Sequence, residues 1–259
     1  MTYEKIKYVV AEGVATITLN RPDKLNSFDR QMSLEVIHAL DECAVDKGVR
    51  AVLLTGEGRA FSAGQDLAEA IAPGTKIEEI LTVQYNPIVR RIRDLPQPVI
   101  AAVNGVAAGA GANIAYACDL AIAAESANFI QSFINIGLIP DSGGTFTLPR
   151  LVGMQRAFGQ MILADKVPAT KAAELGMIWK AVPDADLMSE ATALAKKLAQ
   201  MPTKAIALTK QALSRSMTGS LSDQLDVENE LQTIAGASHD YNEGVKAFLE
   251  KRKPVYTGE

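Results

Sequence analysis

Residues 6–19 alternate apolar with polar side chains, many of them β-branched, and the pattern breaks once at Glu12-Gly13. It predicts two short strands, 6–10 and 14–19, joined by a hairpin turn at Gly13. Pro22 and its polar neighbours make 20–26 a loop. A helical period then runs to Ala44 from Asp29, a plausible cap, with Leu34, Ile37, Leu40 and Ala44 assigned to the buried face. Residues 49–55 and 98–103 are short apolar runs, so they predict strands buried on both faces. A helix is expected over 78–94, with Leu81, Tyr85, Ile88 and Ile92 inward and a kink at Pro87. The turn 105–111 is expected to lead into a helix ending at Cys118. Residues 120–124 and 129–134 read as extended. Strand–helix alternation through residue 124 predicts right-handed crossovers and a largely parallel sheet, an α/β fold. Beyond it helical spacing dominates: 154–163, 170–175, 186–200, 202–216, 221–233 and 240–251. The expected division is an α/β core over 1–155 and a helical layer over 156–259.

Composition narrows the function classes. A chain of 259 residues, 48% hydrophobic and 22% charged, is neither disordered nor collagen-like. Its 26 Lys and Arg against 30 Asp and Glu leave a formal charge of −4, which argues against a non-specific nucleic-acid binder. The most apolar stretch, 98–112, is interrupted by Asn104 and three glycines, so no membrane span is expected. The first five residues do not open a secretory leader, and a cytoplasmic location is expected. Cys43, Cys118, His38 and His239 are too few and too scattered for a disulfide framework, a zinc site or a serine–histidine triad. Gly109 and Gly111 match only part of a dinucleotide fingerprint, because Ile114 stands where a third small residue belongs. No phosphate loop is present, and no metal or redox cofactor is expected.

Three glycine-rich turns carry the candidate chemistry. Residues 60–67 follow the strand at 49–55, and 104–113 follow the strand at 98–103 and run into a helix. Free N–H groups at such turns, reinforced by a helix start, stabilise negative charge, and two together make an oxyanion hole. The same glycines would also serve tight turns and close packing alone. In the third turn, Asp141 follows an apolar run and precedes Gly143-Gly144. Burial there would raise its pKa and suit it to proton transfer; the other reading is a helix cap.

In their order along the chain, 17–22 (Ile-Thr-Leu-Asn-Arg-Pro), Asn26, 61–67, 100–105 (Ile-Ala-Ala-Val-Asn-Gly), Cys118-Asp119 and 143–145 (Gly-Gly-Thr) resemble the crotonase superfamily of enoyl-CoA hydratases and isomerases. The resemblance spans nearly the whole chain. It implies a spiral of ββα units, with C-terminal helices that assemble homotrimers, often paired into hexamers. It also implies an acyl-CoA substrate, with CoA entering only as part of that substrate. Oxyanion donors carry over to the backbone N–H of Gln65 and of Ala110, with Gly111 the neighbouring possibility. Ala63, Asp66 and Leu67 would line the substrate groove. Lys24 would reach the phosphates or adenine of CoA, and Lys251 and Lys253 would come from a neighbouring subunit. Each of these lysines also reads as a plain surface charge.

Hydratases of the superfamily carry two glutamates to position and deprotonate water, and here those positions read Asn113 and Phe133. Hydration is therefore expected to be crippled, with both residues shaping a dry pocket. Asp141 instead matches a carboxylate used by some isomerases. Segments 137–141, 176–179, 223–226, 240–245 and 256–258 narrow the resemblance to the ring 1,2-epoxyphenylacetyl-CoA isomerases of phenylacetate degradation. That implies double-bond shifts from 3-enoyl-CoA to 2-enoyl-CoA and rearrangement of a ring epoxide to an oxepin thioester. The alternatives are a fatty-acid Δ3,Δ2-enoyl-CoA isomerase and, less favoured by the charge and by Asp141, a non-catalytic RNA-binding or scaffold relative. The loop 68–85, glycine- and proline-bearing at Pro73-Gly74, is expected to govern acyl preference.

Overall fold

The computed structural model describes residues 2–259. Two sheets wind up together along the chain. The larger holds β1 (Ile6–Ala11), β2 (Val14–Leu19), β3 (Ala51–Gly56), β5 (Val99–Val103), β7 (Leu120–Ala124) and β10 (Lys180–Val182) in that spatial order. Only the β1–β2 hairpin is antiparallel; every other pair in that sheet is parallel. The smaller sheet holds β4 (Ala60–Ser62), β6 (Val106–Ala108), β8 (Asn128–Ile130) and β9 (Val167–Pro168). β3, β5 and β7 are each followed within a few residues by a short strand of the smaller sheet, so the chain forms a spiral of ββα units.

Every residue of β3 and β5 is buried, as their unbroken apolar runs predict, and Leu53 and Ile100 sit at the centre of the core. Burying such a side chain stabilises the fold by about 1.5–3 kcal/mol. Helix Arg30–Val45 begins where expected, with the Asp29 carboxylate accepting the Met32 N–H at 2.8 Å. Its buried face differs from the predicted one. Met32, Ser33, Glu35, Val36, Ala39, Leu40 and Cys43 point inward, while Leu34 and Ala44 are exposed. The reason is Glu35, fully buried, which accepts the backbone N–H groups of Glu4, Lys5 and Ile6 and so binds the start of β1. Polar residues satisfied by distant partners disguise the true face.

The expected helix over 78–94 divides into a short turn at Ile77–Glu79, a wide π-turn at Ile80–Tyr85 and an α-helix at Asn86–Asp94. The Asn86 N–H reaches back five residues to the Leu81 carbonyl. Pro87, which lacks an N–H and crowds the preceding turn, sits just after this widening. Between Gly105 and Gly111 the chain forms β6 before entering helix Ala110–Ala117, so the turn is more extended than expected. Only 128–130 of the extended segment near Phe129 is a strand; Ser132–Ile136 is a 3₁₀ turn. Residues 22–24 of the predicted loop also form a 3₁₀ turn.

Past residue 156 the chain supplies β9, β10 and helix Leu187–Ala199, then helices Thr203–Ser216, Leu221–Gly236 and His239–Leu249. Lys210, almost fully buried, ties this layer to the sheet region. Its ammonium donates to the carbonyls of Ile92, Leu95 and Gln97 and pairs with Asp119 at 2.8 Å. Met154, Phe158 and Ile162 form an exposed apolar stripe on helix Met154–Leu163. Among the described residues no helix is long and apolar enough to cross a membrane.

Candidate active site

The first donor turn follows β4. Ser62 Oγ donates to the Asn26 carbonyl at 2.8 Å and accepts the Gly64 N–H. Asn26 is itself buried and bonded to Arg21 N–H and to the carbonyls of Glu57 and Ala60, so the turn rests on a filled polar layer. Phe28 brackets residue 65: its N–H donates to the Gly64 carbonyl at 2.7 Å, and its carbonyl accepts the Asp66 N–H at 2.8 Å. This bridge leaves the Gln65 N–H unused.

The second donor turn meets the first at close range. Gly64 lies so near it that a methyl group there would fall 2.8 Å from the Ala108 carbonyl oxygen and 3.3 Å from Ala110 N. Gly64 also has φ of +88°, and Gly109, just before the helix, has φ of +53°, so both positions call for glycine. Ala110 opens helix Ala110–Ala117, and a first-turn N–H has no partner within its own helix. Gln65 and Ala110, on adjacent turns, thus offer two N–H groups that nothing among the described residues accepts. Gly111 sits one position on, packed against Ser62. The Phe133 ring lies beside Gly109 at the helix entrance and is buried.

Helix Ala110–Ala117 also reaches the third turn. Asn113 Nδ2 donates to the Asp141 main-chain carbonyl at 2.8 Å, while Asn113 Oδ1 accepts from Gln131 Nε2 at 2.8 Å. Asn113 packs so tightly on Gly144 that no side chain would fit there. Both polar ends of the Asn113 amide are therefore occupied by protein. The Asp141 carboxylate caps no helix: Gly143 precedes helix Gly144–Val152, and Asp141 Oδ1 accepts the Ser142 hydroxyl at 2.7 Å. Among the described residues no Lys, Arg or His pairs with it. Burial raises its pKa above the ordinary carboxylate value, an effect only partly offset by the Ser142 hydrogen bond.

Gln65, Ala110, Gly111, Asn113, Phe133 and Asp141 are thus brought together. Ala63 is half-buried, its N–H held by the Leu25 carbonyl. Asp66 is turned to structural use: it caps helix Leu67–Ala70 and pairs with Arg21 at 2.8 Å. The Arg21 hydrogen bond holds its carboxyl below the usual range. Leu67, Lys24, Lys251 and Lys253 are exposed. Arg21 and Gln131 were not singled out from the sequence. Arg21 falls within the Asn-Arg-Pro segment and bonds the nearby Ser27 carbonyl and Asp29, but its link to Asp66 spans 45 positions and that of Gln131 to Asn113 spans 18, beyond any local pattern. Among the described residues no group of three His, Cys, Asp or Glu is placed to hold a metal.

The family description Enoyl-CoA hydratase/isomerase matches residues 10–259. The chain belongs to that family. It is 48% identical over 258 residues to a probable enoyl-CoA hydratase of Rhodobacter capsulatus, covering 100% of both chains. It is also 48% identical over 253 residues to the 1,2-epoxyphenylacetyl-CoA isomerase of Escherichia coli, covering 96% of this chain and 97% of the other. A solved enoyl-CoA hydratase/isomerase from Mycobacterium abscessus superposes with a TM-score of 0.93 at 36% identity, covering 98% of this chain and 100% of that one. Membership of the enoyl-CoA hydratase/isomerase family makes this an enzyme of CoA thioesters. The two relatives at equal identity carry different reaction names, so the choice between hydration and isomerisation turns on the site itself.

Proposed function

We propose that this protein is a CoA-thioester isomerase that moves one proton with Asp141. The observation that carries the reading is the pairing of a half-buried carboxylate, with no cation beside it among the described residues, with two free backbone donors. At the positions corresponding to the hydratase glutamates stand an amide with both ends bonded and a phenyl ring. Neither side chain can deprotonate water.

In this reading the thioester oxygen of a 3-enoyl-CoA accepts from the Gln65 and Ala110 N–H groups. Asp141 removes a proton from C2; the C2–H electrons move into the C1–C2 bond and the carbonyl π electrons onto the thioester oxygen, which gives a dienolate with C3–C4 still double-bonded. When C4 takes the proton, the carbonyl re-forms and the double bond comes to rest between C2 and C3. Fixed donors meet that charge where it develops. Asp141 then returns the proton to C4, which yields the conjugated 2-enoyl-CoA with no other reactant consumed. The raised pKa suits a group that must both accept and donate. The likeness to the E. coli isomerase extends the reading to a ring epoxide, whose rearrangement to an oxepin thioester is likewise atom-neutral. Assembly as a homotrimer, or a hexamer of two trimers, is supported by family membership and by the apolar stripe at Met154, Phe158 and Ile162.

The test is conversion of a 3-enoyl-CoA by wild type and Asp141→Asn, alongside hydration of crotonyl-CoA. We expect isomerisation in the wild type, a loss of about 10²–10⁴-fold in the variant, and no hydration above background. Equal rates in both proteins, or efficient hydration, would sink the proposal. A higher rate on the ring epoxide than on aliphatic 3-enoyl thioesters separates the ring isomerase from a fatty-acid isomerase.

A further inference from the structure

Tyr85 is 1% exposed and its hydroxyl donates to Gln65 Oε1 at 2.7 Å. The Gln65 amide in turn donates to the Asp66 carbonyl. Residue 65 is thereby held twice over, its main chain by the Phe28 bridge and its side chain by Tyr85. The Phe28 and Tyr85 rings pack edge to face with centroids 5.9 Å apart, so the two restraints brace each other. Burial and the surrounding carboxylates, Asp141 among them, keep the phenol protonated, and its role as donor is fixed.

The backbone carrying Tyr85 is unusual. Tyr85 closes the π-turn, and such widenings recur at functional sites because they redirect a side chain without breaking the helix. Four residues on, in the helix that continues from it, Val89 packs against Gly143, two positions from Asp141. One continuous segment therefore touches the donor turn at one end and the carboxylate turn at the other.

We propose that Tyr85 is a positioning residue: through its hydrogen bond to the Gln65 side chain it sets where the Gln65 N–H stands relative to the Asp141 carboxylate. The proposal rests on the isomerase reading for its catalytic consequence, but its geometric content is independent of which reaction follows. Tyr85 is buried and acts through Gln65.

Tyr85→Phe keeps the ring in the core and removes only the donor. Gln65→Ala removes the acceptor and keeps the backbone N–H. Each is expected to lower kcat by about 10–100-fold with KM changed less than about twofold, the size of effect that a misplaced group produces. The double variant should be no slower than Gln65→Ala alone, because both changes delete the same link. A second measurement needs no turnover: the red shift of a bound p-dimethylaminocinnamoyl-CoA, whose absorption moves as its carbonyl is polarised. A clear shift in the wild type, reduced in Tyr85→Phe and unchanged in Asp141→Asn, supports the proposal even if Asp141 proves dispensable for isomerisation. Equal shifts in wild type and Tyr85→Phe, no shift in wild type, or multiplicative losses in the double variant would overturn it.

Discussion

The two halves of the site are built from different materials. The donor half is main chain: Gln65 and Ala110 offer N–H groups from turns that follow parallel strands, and the approach of Gly64 to Ala108 and Ala110 fixes their spacing. The carboxylate half is a single side chain, Asp141, on a turn where Gly137, Ser142 and Gly143 all have positive φ. Backbone donors survive most side-chain changes and fail only where a Cβ intrudes. The carboxylate half can gain, lose or move its acid by single substitutions. Under the proposed reading, one scaffold can therefore keep its means of stabilising an enolate while the groups that handle protons or water change around it.

The sharpest way to break this contrast is Asp141→Asn, for which the expected loss of isomerisation should come with a gain in stability. Asp141 has a raised folded-state pKa, so its penalty is absent below the unfolded carboxylate pKa and grows as pH rises through the folded value. The variant should melt above wild type at pH 7 and lose that advantage in acid; an equal or lower melting temperature at pH 7 would contradict the assigned burial. Next in size, Gly64→Ala should cut kcat by about 10²–10³-fold by disturbing an oxyanion donor, with Asp141 intact. A near-normal rate in the folded protein would mean that the donor half does not depend on this close approach.

A smaller effect separates the halves by pH. If Asp141 acts first as a base, kcat/KM should rise with pH through a limb above the ordinary carboxylate range. Ser142→Ala, which removes a bond favouring the charged form, should move that limb to higher pH. An unmoved limb would assign it to another group. Smallest is Asp66→Asn, which weakens the Arg21 clamp under the donor turn. It should lower stability by about 1 kcal/mol in denaturant titrations at neutral pH, with the difference shrinking as acid protonates Asp66 in the wild type.

Short-range patterns on the chain were enough for much of this. The apolar runs of β3 and β5, the alternation of β1 and β2 and the Asp29 cap are local statements, and the helices beyond residue 156 follow from spacing alone. Gly64, Gly109 and Asp141 were legible as candidate chemistry because glycine beside a buried strand and a lone carboxylate in an apolar run are unusual within a few residues. The inward face of helix Arg30–Val45 was legible only in part: Leu40 is buried and Ile37 packs on the core as expected, but Leu34 and Ala44 are exposed and Glu35 is buried by partners near the N-terminus. Nor was the π-turn: Pro87 foretold a disturbance, but the local pattern does not distinguish a kink from a widening. The links from Asn113 to Asp141, Arg21 to Asp66 and Tyr85 to Gln65 span 28, 45 and 20 positions. Sequence determined which elements form and which residue types are available for chemistry, since those depend on neighbours along the chain. Only the tertiary structure decided which amide ends, carboxylates and N–H groups remain free, because each is claimed or left unclaimed by a partner that folding alone brings near.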